Sequence, residues 1–300
     1  MGKMRRDLRQ EALAAYAMVL PDVVGLLIFI FIPIIYAFVV SLHSWNGLKP
    51  MVYIGASNYL HLLKDRDFWR SLLITLRYTV IYVPSVFVLS FALALLVNGI
   101  RGSKQQVFRT LLFVPFSIST VVAALAWSFM YDPMRGYING FLGLIGVPAQ
   151  PFLGSMDQAL PSIAVVGIWL VTGYYMVIFL AAIKDIPQAY FEAADMDGAN
   201  AWQRLIYIML PSVRDTSLFV AVVTTIGSFQ VFDQIQVMTR GGPAAATNVT
   251  VYYIFRQAFE ISQLGYASST ACILFIIIMV LTLLQLRFFG ADRSSRRSGR

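Results

Sequence analysis

The feature that most constrains this chain is a series of apolar blocks, each about 20 residues or longer, separated by short polar connections. About 20 apolar residues is the length a helix needs to cross ~30 Å of hydrocarbon at ~1.5 Å per residue. Hydrophobic residues make up 58% of the chain and charged residues 13%, against roughly 45–50% and about 25% in soluble domains. The weak alternating segments of about 10 residues expected of a membrane β-barrel are not visible. The class is therefore an all-α polytopic membrane protein.

Six transmembrane helices are expected, at about Ala15–Ser41, Leu72–Val97, Val107–Met130, Leu160–Ile183, Leu218–Met238 and Ala267–Phe289. The basic N-terminal segment precedes an apolar stretch too long for a signal peptide and without a small-residue cleavage site, so it reads as an uncleaved first span. The chain divides into three parts. Residues 1–71 hold the N-terminal segment, the first span and a loop; residues 72–289 hold a five-helix core; residues 290–300 form a Ser/Arg-rich tail expected to be disordered.

The net charge of +8 is a topological signal. Fifteen Lys and Arg fall on one set of connections: Lys3, Arg5, Arg6, Arg9, Arg101, Lys104, Arg109, Lys184, Arg204, Arg214 and five between Arg287 and Arg300. Seven fall on the other set: Lys49, Lys64, Arg66, Arg70, Arg135, Arg240 and Arg256. By the positive-inside rule both termini are cytoplasmic. Basic residues placed between spans in this way do not form a nucleic-acid surface, so no nucleic-acid partner is expected. Cys272, the only cysteine, lies in an apolar run and has no internal disulfide partner. Pro33, Pro84 and Pro115 sit inside spans, which membrane helices tolerate when neighbours re-satisfy the freed carbonyls. They either kink helices around an enclosed space or serve packing alone.

The connection at residues 184–215 reads as two short helical pieces. The first runs from about Pro187 to Asp197, with Gln188, Phe191, Glu192 and Asp195 spaced as helical neighbours. Small Ala193 and Ala194 allow close approach, and Gly198 stands where a left-handed residue stops a helix. The second piece, Ala201–Met209, is amphipathic and ends at Pro211. Such a segment either inserts into a groove on a partner or lies flat on the membrane.

Glu192-Ala193-Ala194, three residues, Gly198, nine residues, then Ile208-Met209-Leu210-Pro211 resembles the complete EAA motif of binding-protein-dependent ABC importers. The resemblance extends to Phe68-Trp69, Phe113-Val114-Pro115, Ile186-Pro187, Phe232-Asp233, Met238-Thr239-Arg240-Gly241-Gly242-Pro243 and Gly265-Tyr266-Ala267-Ser268. Together these resemble the carbohydrate permeases of the maltose and glycerol-phosphate type, specifically the first of two paired permeases. The resemblance implies a type I ABC importer permease fold with a cytoplasmic EAA coupling helix, in a bacterial or archaeal plasma membrane. It implies as partners a second permease subunit, two ABC ATPase subunits, an extracytoplasmic solute-binding protein and membrane lipid. Glu192, Ala193, Ala194, Gly198, Leu210 and Pro211 are then the ATPase-coupling residues. Relative to the maltose type the chain lacks extra leading spans, which leaves binding-protein contact to the loops around Trp45–Trp69, Tyr131–Ala159 and Gly241–Gln263.

By the same resemblance the substrate pathway runs along spans four and five, at Trp169, Leu170, Val171, Tyr174, Thr224, Gly227 and Ser228. Ordinary helix packing is the alternative for these positions, since small and hydroxylated residues favour membrane helix interfaces. Asp233 and Arg77 are charges within or at the edge of apolar runs, and burying such charges costs roughly 2.5–3.5 kcal/mol. Asp233 is expected either to pair with Arg77 or to accept from a sugar hydroxyl.

The expected function is a permease subunit for a sugar, a di- or oligosaccharide. Glycerol-phosphate compounds or polyols are the alternative, and an ion-coupled carrier ranks behind both. There is no Gly-x4-Gly-Lys-Ser/Thr phosphate loop, no metal-ligand spacing and no nucleophile elbow. The chain is thus expected to be non-catalytic and to need no cofactor.

Overall fold

The computed structural model describes residues 15–297. The four basic residues Lys3, Arg5, Arg6 and Arg9, which weigh on the orientation, lie outside that range, as do residues 298–300.

In chain order the elements begin with α1 (Ala15–Ser41), which passes through a π-helical turn at Leu27–Phe31 ahead of Pro33. The strands β1 (His43–Ser44) and β2 (Val52–Tyr53) pair antiparallel, His43 opposite Tyr53. Then come α2 (Ser57–Lys64), α3 (Arg66–Asn98), α4 (Ser103–Phe113), α5 (Thr120–Met130), α6 (Tyr137–Leu144) and α7 (Ala159–Lys184). The short helices α8 (Gln188–Met196) and α9 (Ala201–Arg204) lead to α10 (Arg214–Phe229) and α11 (Asp233–Met238). The chain closes with α12 (Thr250–Phe255) and α13 (Leu264–Arg297). α13 continues past the expected Phe289 end and into the tail that the sequence reads as disordered.

Five helices are long and apolar enough to cross a membrane, or six where the bent pair α4 and α5 counts as one span. Two expected spans are interrupted. The expected Val107–Met130 span is α4 and α5 meeting at 96°, joined by a 3-10 turn at Val114–Ser117. Pro115 supplies no N–H, and Ile118 and Ser119 are extended, so the helix cannot continue through Pro115–Ser119. The expected Leu218–Met238 span begins earlier, at Arg214, and breaks over residues 230–232 before α11.

The chain divides into two compact units. The smaller comprises residues up to Asp65 together with Ile254–Leu274. Within it the Asn58 amide donates to the carbonyls of Ser41 (2.8 Å) and His43 (3.0 Å), tying α2 to the hairpin. Gly265 is required there, because a Cβ would lie 2.0 Å from the His43 carbonyl oxygen. The neighbouring Tyr266 hydroxyl donates to the Asp65 carboxylate.

The larger unit, Arg66–Tyr253 with Phe275–Arg300, contains the helical core. α7 is its centre: 61% of its apolar window is buried, against 6% for α1. A helix apolar on every side suits a position enclosed by other helices, and α7 packs along α3 and against α4, α5 and α10. Phe179, Ile163, Met176 and Val166 of α7, Tyr78 and Val86 of α3 and Val220 and Phe229 of α10 are all fully buried. Phe87 and Phe91 of α3 set their rings edge-on to Phe179, each with centroids 5.3 Å apart.

The closest approach in this core is at Gly173 of α7, where a Cβ would fall 1.7 Å from the Leu112 carbonyl oxygen of α4. No side chain fits without moving α4, and overpacking of this kind costs typically ~1–3 kcal/mol. Gly173→Ala is therefore expected to lower the thermal unfolding midpoint of the detergent-solubilised protein. An unchanged midpoint would mean that α4 and α7 are free to separate.

Candidate functional site

Two regions of the larger unit bear on function. At the end where α7 finishes and α10 begins, α8 and α9 form a helix–turn–helix. α8 starts after Pro187 and ends at Met196, with Asp197 as its C-cap and Gly198 at φ +71° as the left-handed stop. Asn200 then caps α9: its side-chain oxygen accepts from the Gln203 N–H (2.9 Å), and the Gln203 side-chain oxygen accepts from the Asn200 N–H (2.8 Å). Arg204 locks the two pieces together, pairing with the Asp195 carboxylate of α8 and donating through Nε to the Ala199 carbonyl (3.0 Å). The second piece is less regular than expected, because residues Leu205–Met209 form a π-helical turn before Leu210 and Pro211.

The outward side of this loop is bare. Glu192 and Ala193 are exposed, Ala194 is half-buried, and Tyr190, Met196 and Trp202 leave large apolar surfaces open. Behind the loop, the Lys184 ammonium at the end of α7 donates to Gln105 of α4 (2.6 Å). The Gln105 amide in turn donates to the Val97 carbonyl of α3 (2.8 Å). The loop thus springs from a clamped base.

The second region is a cavity of about 260 Å³ between α3, α5, α7 and the break of α10 and α11. Its aromatic side is Tyr78 and Tyr82, stacked with centroids 5.3 Å apart at 18°, together with Phe116. Its polar side is Thr120, Gln230, Asp233 and Gln234. Gly167 opens the floor: a Cβ there would lie 2.8 Å from the Tyr78 hydroxyl and 3.3 Å from the Gln234 amide nitrogen.

Of the pathway residues expected from sequence, Leu170, Val171 and Gly227 line this cavity. Trp169 does not. It faces α5, its ring 5.6 Å from Trp127, because one residue along a helix turns ~100° away from the Gly167–Leu170–Val171 face. Tyr174 lies one layer out, stacked 4.3 Å from Phe116. Thr224 and Ser228 are buried in packing. Thr224 donates to the Val220 carbonyl (2.6 Å), and Ser228 shares a hydrogen bond with Thr79 of α3 (2.9 Å).

The expected Arg77–Asp233 pair is not formed: Asp233 opens on this cavity and Arg77 on a different groove. The cause is helical phase, since Tyr78 and Tyr82 occupy the face of α3 turned to the cavity and Arg77 is turned away. Sequence reasoning missed Tyr78, Tyr82, Phe116, Thr120 and Gln234. An aromatic pair at i, i+4 within a span was the available signal for the first two. Among the described residues no cluster of His, Cys, Asp or Glu is arranged to hold a metal.

Residues 68–298 match the family described as binding-protein-dependent transport system inner membrane component. The chain belongs to this family. The permease is 33% identical over 288 residues to the probable ABC transporter permease protein YurN of Bacillus subtilis, covering 95% of this chain and 98% of that protein. It is 30% identical over 281 residues to the trehalose/maltose transport system permease protein MalF of Thermococcus litoralis, covering 93% and 94%. Its fold matches a chain of the bacterial alginate ABC transporter solved in complex with alginate pentasaccharide-bound periplasmic protein. That match has a TM-score of 0.82 and 26% identity, covering 94% of this chain and 96% of that one. As an inner-membrane component with several apolar helices, the permease is a multi-pass membrane protein.

Arg204 tests whether the loop is one rigid piece. Its pair with Asp195 is half-exposed, and such pairs contribute only about 0.2–1 kcal/mol. Arg204→Ala also removes the bond to Ala199, so limited proteolysis at residues 197–200 is expected to quicken a few-fold. Equal cleavage rates would show that the capping box alone holds the turn.

Proposed function

We propose that this permease is one of two different membrane subunits of an ATP-driven importer for a neutral sugar, a di- or oligosaccharide handed over by an extracytoplasmic binding protein. The observation that carries this is the cavity lining. It combines stacked aromatic rings with hydrogen-bonding amides and hydroxyls, contains one carboxylate, Asp233, and includes no Lys or Arg. Stacked rings offer flat apolar faces to a pyranose, and Gln230, Gln234, Thr120 and Asp233 offer partners to its hydroxyls. The similarity to the trehalose/maltose permease of Thermococcus litoralis supports the same class. Glycerol-phosphate compounds fit this wall less well, because a phosphate beside Asp233 would meet like charge with no cation to offset it.

ATP hydrolysis belongs, in this reading, to two ATPase subunits that receive α8 in a groove. The exposed Glu192 carboxylate meets donor groups there, a contact strengthened as water is excluded. Ala193 and Ala194 allow close approach, Gly198 sets the angle between α8 and α9, and Leu210 and Pro211 fix the entry into α10. This puts the loop and both termini in the cytoplasm, in agreement with the distribution of basic residues. The hairpin region, the Tyr131–Ala159 loop and the Gly241–Gln263 segment then face the binding protein. On that side the Asp132 carboxylate accepts from the backbone N–H groups of Arg135 (2.7 Å) and Met134 (2.9 Å), which hold it below the usual carboxylate range.

In the reconstituted importer, Glu192→Lys and Gly198→Val are expected to leave membrane insertion intact while uncoupling ATP hydrolysis from uptake. Normal uptake in both would sink the coupling assignment. Gln230→Ala combined with Tyr82→Ala is expected to cut uptake of the cognate sugar about tenfold or more while binding-protein-stimulated ATPase persists. Two lost contacts at ~0.7 kcal/mol each correspond to that factor. Unchanged uptake would remove the cavity from the pathway.

A further inference from the structure

The outward face of α3 carries chemistry that the transport path leaves unused. Arg70 and Arg77 stand seven residues apart, two helical turns and about 10 Å along the axis, on one wall of an open groove of about 730 Å³. The Arg70 guanidinium donates to the Ala244 carbonyl at 3.1 Å. Arg77 makes no ion pair or hydrogen bond with any described residue. Asp157, at the start of α7, opens on the same groove, and its carboxylate likewise meets no partner among the described residues. Between these charges the groove is apolar, with Leu73 and Val80 of α3 opposite Leu160 of α7, and the two α3 residues are 49% and 70% exposed.

An unpaired guanidinium at this depth in a membrane helix is costly unless it finds an anion or reaches water. Side chains on a helix lean toward its N-terminus, so Arg77 reaches back toward the level of Arg70. That level is marked as interfacial by the charged first turns of α3, which hold Arg66, Asp67 and Arg70. The groove therefore offers cationic groups at headgroup height, a carboxylate beside them and an apolar channel leading toward the bilayer centre. We propose that this groove is a phospholipid site, in which Arg77 and Arg70 hold the lipid phosphate, Asp157 meets an ethanolamine ammonium and an acyl chain lies along Leu73, Val80 and Leu160. Phosphatidylethanolamine satisfies both signs of charge at once, and its primary ammonium, unlike a choline, donates hydrogen bonds to a carboxylate. An anionic lipid would leave Asp157 facing like charge. With both termini cytoplasmic, the lipid belongs to the extracytoplasmic leaflet. The site itself stands whatever sugar is carried.

The test is native mass spectrometry of the assembled importer, stripped of lipid in mild detergent and titrated with dioleoyl phosphatidylethanolamine or dioleoyl phosphatidylglycerol. Wild type is expected to bind the ethanolamine lipid in preference to the glycerol lipid. Arg77→Gln should weaken that binding about fivefold, the effect of one basic residue at a lipid surface, and Arg77→Lys should restore most of it. Asp157→Asn should abolish the headgroup preference. Equal retention by wild type and Arg77→Gln would overturn the proposal. So would a wild-type complex without specific lipid retention whose Arg77→Gln form loses the second permease, since Arg77 would then serve a protein interface. Should Arg77→Gln fail to assemble, Asp157→Asn decides: a lost headgroup preference supports the site and an unchanged one refutes it.

Discussion

Inside hydrocarbon there is no water to take up a freed backbone group, so a chain may leave the helix only where protein or a wet cavity shelters it. This constraint organises the core. The two interruptions within spans, at Ile118–Ser119 and at residues 230–232, do not occur at separate places. Ile118 and Thr120 from one and Gln230, Val231 and Phe232 from the other line the same cavity. α11, which comes after the second break, packs against α5, which comes after the first. Each break thus gives the other cover, and the polar backbone they release is gathered at a single site. The cavity exists because two spans fail together.

A broken span and a straight one have the same composition, which made the cavity hard to see in the sequence. The apolar blocks were legible because lipid fixes their length. The breaks were not, since Pro84 lies inside the continuous α3 whereas Pro115 belongs to a 96° corner. The residues after the two prolines do not tell them apart: Ser85, Val86 and Phe87 follow one and Phe116, Ser117 and Ile118 the other, all of similar helix propensity. The site suffered for a related reason. The resemblance points to Trp169 and Ser228, yet which face of a helix meets a cavity depends on its neighbours. Trp127 and Thr79 claimed those two side chains.

The two helical pieces between α7 and α10 and the stop at Gly198 were legible because their determinants are local. Gly198 stops α8, Asn200 and Gln203 start α9, and Arg204 reaches back only nine residues to Asp195. None of these contacts needs the rest of the fold. The π-helical turn at Leu205–Met209 is the exception, and no pattern in that apolar run distinguishes it from an ordinary helix.

The loop and the cavity are joined by the two helices between them. α7 carries Gly167, Leu170 and Val171 in its middle turns and Lys184 at its end, about 20–25 Å away along a rigid rod. α10 carries Gly227 at its far end and receives the loop through Leu210 and Pro211. In the proposed coupling, a displacement of α8 by an ATPase would reach both helices of the cavity wall from one clamped base, where Lys184, Gln105 and the end of α3 are hydrogen-bonded in series. Gly173 lies between the two ends, pressed against the Leu112 carbonyl. With no side chain between them the two backbones lie in direct contact, and bowing α7 away from α4 would open a void. The same glycine that permits dense packing thus stands between the loop end of α7 and the residues that line the cavity.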